Sequence, residues 1–294
     1  MKLAISGDRE FVDLVEASSF RGIIHSVFNS TLNIQNHDSD ELFTIACKKL
    51  DNGPNTIIID LENLHNTGIN VNEPVCISGK CMYIGKKLTI SFENIRRWES
   101  ELPEYPNTIE IVNRNLSFVK DYIEVHGRSG GAKIDIASDH LFAKEVSRMI
   151  AERSQHLQQA LLNGSSSSAL EYAQSLIGLG PGLTPSGDDF LVGLFTALNV
   201  RNSPLSSYQS LCEEVVQKAK TLTNNISFMA LKKASIGKVR ESIIQLVSSM
   251  LKGNRDELIL SLNKVLHIGS SSGTDIALGL VSGMEANIKA GGKL

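Results

Sequence analysis

Between Arg21 and about Val125 the apolar residues fall in short runs rich in Ile, Val, Thr and Phe, interrupted by Gly, Asn and Pro. That texture predicts strands, most clearly over residues 23–28, 56–59 and 88–92. Gly79-Lys80 and Gly85-Lys86 separate residues 75–77, 81–84 and 88–90 at a spacing that predicts consecutive antiparallel hairpins, and so a small sheet or barrel. Residues 94–106, with Trp98 and two prolines, break the pattern and read as a short helix plus loop. Residues 122–125 read as another strand, and residues 132–136 alternate like one more.

After Gly127-Arg128-Ser129-Gly130-Gly131 the period changes. Leu141, Phe142, Val146, Met149, Ile150, Leu157 and Leu161 recur at helical spacing, with Ser138 or Asp139 as the cap and Gly164 as the stop. Further helices are expected over about residues 168–177, 188–200, 205–222, 227–235, 238–251, 256–266 and 274–289. Strands first and helices second predict an α+β chain. A mainly antiparallel β domain over residues 1–136 is followed by an all-α domain over residues 137–294, and a doubly wound sheet is excluded.

A length of 294 residues with 41% hydrophobic and 21% charged positions suits two domains with real cores and excludes wholesale disorder. The formal net charge of −3 lacks the basic footprint of a nucleic-acid binder. No apolar run reaches membrane-spanning length, and no signal peptide is legible in the first residues, so a cytoplasmic protein is expected. The four cysteines contain no C-x-x-C and the seven histidines no H-E-x-x-H, so neither a zinc finger nor a zincin is written here.

The densest unusual stretch is residues 178–189, GLGPGLTPSGDD, between two expected helices. Alternate glycines allow positive φ, and two prolines fix the turns between them, so the loop can wrap a small ligand. Asp188 stands where a P-loop needs lysine, and Leu183 where G-x-G-x-x-G needs glycine, so Walker-type ATP cradling is not expected. Ser186 and Asp189 also form an S-x-x-D capping-box pattern, in which Asp189 is the capping partner and Asp188 has less local work. Both carboxylates would in any case complement the helix dipole.

A second junction resembles the first. Ser186-Gly187-Asp188-Asp189 aligns with Ser272-Gly273-Thr274-Asp275, and Gly193-Leu194 with Gly279-Leu280. A mid-helix Gly costs about 1 kcal/mol against Ala, so Gly193 and Gly279, followed four places on by Ala197 and Gly283, predict two helices packed closely. Their N-termini would then converge on an anion site. The candidate chemistry is Asp188, Asp189 and Asp275, as catalytic carboxylates or as ligands of a divalent cation such as magnesium. Around the substrate are expected Gly180, Gly182, Thr184, Ser186, Gly187, Thr223, Ser227, Ser270, Ser271, Ser272, Gly273 and Thr274.

Residues 127–131 match the G-x-S-x-G of a nucleophile elbow, but no helix follows at once, so a turn between strands is the better reading, with Arg128 as a candidate to face a ligand. His25, beside Ser26, reads as a half-buried histidine. Thr223-Asn224-Asn225-Ile226-Ser227 reads as a helix–helix turn with Ser227 as N-cap.

Residues 178–191 (GLGPGLTPSGDDFL), Thr223-x-x-Ile226-Ser227 and residues 268–275 (IGSSSGTD) resemble the signatures of the bacterial AllH family. The similarity extends upstream through Arg21-Gly22 to Phe28 and Gly53-Pro54. The resemblance implies a subunit of oxamate carbamoyltransferase, which acts in anaerobic allantoin breakdown and interconverts oxalurate plus phosphate with oxamate plus carbamoyl phosphate. It also implies other protein subunits as partners, while the charge and the apolar runs lead us to expect no nucleic acid and no membrane. Such a transfer rests on orientation and oxyanion stabilisation, so the missing nucleophile triad is no objection. An S-T-R-T carbamoyl-phosphate loop is absent. A non-catalytic anion-binding or assembly subunit is the alternative.

Overall fold

The N-terminal elements are β1 (Lys2–Asp8), α1 (Arg9–Glu16), β2 (Arg21–Val27), β3 (Thr31–Asn36), β4 (Leu42–Cys47), β5 (Thr56–Ile59), β6 (Pro74–Ser78), β7 (Cys81–Ile84), β8 (Leu88–Ser91) and β9 (Arg96–Trp98). The structure, a computed structural model, describes residues 1–18, 20–39, 41–134 and 141–292. Its Cα framework divides into two compact units, residues 1–100 and 101–294.

In the first unit the strands run β5-β4-β3-β2-β6-β7-β8-β1, and β1 pairs back onto β5, closing an eight-stranded barrel. β9 continues the β8 edge, pairing with β1 through Ser6–Asp8 after β8 has paired with Lys2 and Leu3. The expected hairpins are present: β6, β7 and β8 form an antiparallel meander, and Gly79 and Gly85 take φ of +58° and +52° in its turns. Ile24, Ile34, Ile45, Ile57, Met82 and Ile90 fill the interior. Phe11 of α1 joins Phe20 and Phe43 with ring centroids 4.7–5.1 Å apart. The short helix expected within residues 94–106 is instead the strand β9. Parallel pairing to β1 fixes it, and Arg97 ion-pairs with Asp13 and Glu16.

The second unit is helical: α2 (Glu110–His126), α3 (Leu141–Leu162), α4 (Ser166–Leu176), α5 (Ser186–Leu198), α6 (Gln209–Leu222), α7 (Asn225–Ala234), α8 (Glu241–Lys252), α9 (Arg255–Leu266) and α10 (Ser272–Gly291). The α+β fold class therefore holds, with a β-barrel first and helices after it. The strand expected at residues 122–125 lies inside α2. Val112, Leu116, Val119 and Ile123 are buried at helical spacing, a period longer than the local Tyr-Ile-Glu-Val pattern. Residues 127–131 are then a turn after a helix, and Ala132 to Ile134 form no strand. Asp135, Ile136, the Ser138 or Asp139 cap and the expected boundary at residues 136 and 137 lie outside the described residues. Among the described residues no helix is long and apolar enough to cross a membrane.

Candidate functional site

α5 is buried along its whole length, and its closest neighbour is α10. Glycine makes the contact possible on both sides. A Cβ on Gly193 would stand 2.0 Å from the Ile276 carbonyl oxygen, and one on Gly279 would stand 2.0 Å from that of Phe190. Four residues on, a Cβ on Gly283 would lie 2.4 Å from that of Ala197. The expected close packing is thus present and reciprocal, since Ile276 holds in α10 the place of Phe190 in α5.

The same reciprocity governs the helix starts. Gly187 abuts the Leu176 carbonyl that ends α4, and Gly273 abuts the Val265 carbonyl near the end of α9. Each junction is a helix, a small-residue loop and a second helix fitted tightly together, and the two are related as repeats. Thr184 Oγ1 and Ser272 Oγ hydrogen-bond at 2.9 Å, joining the loop before α5 to the first turn of α10. Asp189 faces the hydroxyls of Ser272 and Thr184, while Asp275 faces those of Ser186 and Ser271.

Burial dominates the electrostatics of this pair. It raises the Asp189 carboxyl to about 7, against the lowering effect of the two hydroxyls and with the charges of Asp275 and Asp188 pushing further up. Asp275 is raised to about 6 by burial, against the Ala132 N–H and the Ser186 and Ser271 hydroxyls. Asp275 Oδ1 accepts the Ala132 N–H at 2.7 Å. Asp189 Oδ2 and Asp275 Oδ2 are buried with no hydrogen-bond partner among the described residues.

Asp188 is placed differently. Its Oδ1 accepts the Gly178 N–H at 2.8 Å, and its Oδ2 accepts the hydroxyls of Thr223 at 2.5 Å and Ser227 at 2.6 Å. Thr223 and Ser227 thus join Asp188 rather than the Asp189–Asp275 pair. Thr274, the counterpart of Asp188, likewise holds a neighbouring loop, accepting the Arg128 N–H at 2.8 Å. Because both Asp188 oxygens are engaged by N–H and O–H donors, the three carboxylates do not fit a magnesium set. Among the described residues no group of three or more His, Cys, Asp or Glu is placed to hold a metal ion.

Several local expectations are corrected. Ser186 is the first residue of α5 and makes no capping bond, because Pro185 occupies the N-cap and its carbonyl takes the N–H groups of Asp188 and Asp189. The N-cap of α7 is Asn224, whose side chain accepts the N–H groups of Ile226 and Ser227, so Ser227 is not the cap. Arg128 turns its guanidinium onto the carbonyls of Gly269, at 2.8 Å, and Ser270. The backbone N–H groups expected to meet an anion are also engaged: Gly187 on Leu179, Gly273 on Ile268, and Thr274 and Asp275 on Ser271. Gly180, Gly182 and Ser270 sit on the outer rim, Gly182 and Ser270 exposed.

Sequence reasoning missed Gly131, Ala132 and Ser147. A Cβ on Gly131 would lie 2.3 Å from Asp275 Oδ2, and the Ser147 hydroxyl donates to the Gly131 carbonyl. The paired glycines at 130 and 131 were the available signal. A cavity of about 280 Å³ adjoins this turn, with Ala132, Ile150, Phe190 and Leu278 on its apolar wall and Lys120 and Glu285 among its polar residues.

A family model described as oxamate carbamoyltransferase subunit AllH matches residues 176–284, and one described as the AllH family N-terminal domain matches residues 3–97. No solved structure matches the chain.

Proposed function

Because the chain belongs to the AllH family of oxamate carbamoyltransferase subunits, we propose that it serves in an enzyme interconverting oxalurate and phosphate with oxamate and carbamoyl phosphate, and that substrate meets it where α5 and α10 begin. The observation that carries this reading is the meeting of the two motifs: both lie within the family-matched residues, and they touch through Thr184 and Ser272. The hydroxyls of Thr184, Ser186, Ser271 and Ser272 face Asp189 and Asp275, and on turning from them would donate to a carboxylate or phosphate oxygen. In the synthetic direction the oxamate nitrogen forms a C–N bond to the carbamoyl carbon as the C–O bond to phosphate breaks, and the nitrogen gives up a proton. Asp189, raised to about 7, suits a group that takes that proton near neutral pH.

A second reading, a non-catalytic anion-binding or assembly subunit, draws support from the engaged N–H groups at both helix starts. One experiment separates the two. Carbamoyl transfer is measured on the complex carrying Asp189→Asn, Asp188→Asn or Ser272→Ala, together with subunit assembly and thermal stability. The catalytic reading expects Asp189→Asn and Ser272→Ala to assemble normally and to lose at least about tenfold in rate, as removing a positioned proton acceptor or donor does. Asp188→Asn should instead lower stability, by about 2 kcal/mol for a buried carboxylate with three donors. Full activity in the Asp189→Asn complex would discard the catalytic reading, and loss of assembly alone would establish the second.

A further inference from the structure

We infer that Asp189 and Asp275 together form an acceptor pair that takes the N–H groups of the substrate, so that this part of the site selects an amide or ureido nitrogen rather than a second anionic group. The inference rests on the reading above, that substrate enters at the α5–α10 junction.

Both carboxylates are withdrawn from solvent, Asp275 to 0% and Asp189 to 5% exposure. Each keeps one oxygen, Oδ2, without a hydrogen-bond partner among the described residues. A buried acceptor left in that state is unfavourable, and the surrounding polar atoms are otherwise matched closely. Asp275 has the Ala132 N–H and the Ser186 and Ser271 hydroxyls, and Asp189 has those of Thr184 and Ser272, which also bond each other. What each Oδ2 lacks, among the described residues, is a donor.

Nearby cations do not supply it. The Arg128 guanidinium lies on the Gly269 and Ser270 carbonyls, Lys133 on the carbonyls of Ile123, Glu124 and Gly127, and Lys120 on Glu285. An anion would therefore meet two carboxylates here, with the backbone N–H groups of residues 187–189 and 273–275 already engaged. An NH2 group meets the opposite situation. It carries two donors, and the repeat supplies two equivalent acceptors, one from each helix. The carboxylate or phosphate end of the same substrate is left to the hydroxyls.

Three probes of nearly equal size test this: oxamate, pyruvate, which keeps the single charge but has CH3 for NH2, and oxalate, which has O⁻ in that place. Binding is measured calorimetrically on the full chain with the subunits that co-purify with it, at about pH 8 so that ordinary and raised carboxyls alike are largely ionised. Oxamate is expected to bind at least about tenfold more tightly than pyruvate or oxalate, the discrimination of a site whose buried acceptors stay unpaired with the analogue. Asp189→Asn and Asp275→Asn, each trading an acceptor for an amide, should reduce that preference to about threefold or less. Because the comparison on the parent chain needs no variant, a variant that fails to fold does not remove the test. Pyruvate or oxalate binding as tightly as oxamate overturns the inference and leaves the site reading intact. No binding of any probe overturns both.

Discussion

Asp188 and Asp189 are consecutive residues on one helical turn, yet their partners differ. Asp188 has three donors on its two oxygens, whereas Asp189 keeps an oxygen unmatched and is raised from 3.8 to about 7. Asp275 is raised to about 6. For an acid raised on folding, the folded chain binds protons that the unfolded chain releases, so stability increases as pH falls through the folded value toward the unfolded one. Between about pH 4 and the folded value, about 7 for Asp189 and about 6 for Asp275, the slope approaches about 1.4 kcal/mol per pH unit for each group. Unfolding by urea should therefore show the parent losing stability from about pH 4 to pH 7, and Asp189→Asn losing less over the same span. Identical slopes in the two proteins would contradict the burial account. The division of labour itself was hidden in the sequence. The S-x-x-D spacing assigns local work to Asp189 and leaves Asp188 idle, and the structure reverses this because Pro185 takes the cap while Thr223 and Ser227 arrive from a distant turn. Local spacing carries no information about a partner more than thirty residues away.

Among the helices, the legible signal was the one with no local rationale. Gly193 and Gly279 lie inside otherwise apolar helices, where glycine is unfavourable, so close approach of another backbone was the available explanation. Both face backbone at 2.0 Å from a would-be Cβ, and a carbonyl held in a helix cannot yield as a side-chain tip can. Gly279→Ala should accordingly destabilise the chain by about 3 kcal/mol or more, overpacking outweighing a helix-propensity gain of about 1 kcal/mol. Gly292→Ala, where the nearest atom to the added Cβ is 3.6 Å away, serves as the control and should change stability little. Chemical denaturation of both variants decides between them, and a neutral Gly279→Ala would mean that α5 and α10 can separate without cost. α2 was missed for the converse reason: its strand-like tetrad dominates a short window, and only the twelve-residue span from Val112 to Ile123 reveals the helical period.

At the scale of the whole chain, the strand-rich first half was readable but the closure of the barrel was not. Closure depends on β1 pairing with β5, about fifty residues away, and on β1 passing from β8 to β9 along its length. Neither follows from a hairpin rule, which links only neighbours in sequence. The helical unit has a different basis for independence. Its core cluster is drawn wholly from residues beyond 101, and every side chain of the Asp189–Asp275 junction, including the turn at 127–132, belongs to it. A domain with its own core can fold alone. Residues 101–294 produced without the barrel should unfold cooperatively in urea, with far-ultraviolet circular dichroism and tryptophan-free near-ultraviolet signals changing together, since Trp98 is the one tryptophan of the chain and lies in the barrel unit. The fragment should also keep the falling stability from about pH 4 to pH 7, because both raised carboxyls travel with it. A fragment that retains helix but loses the cooperative near-ultraviolet change would show that the helical core needs the barrel to pack.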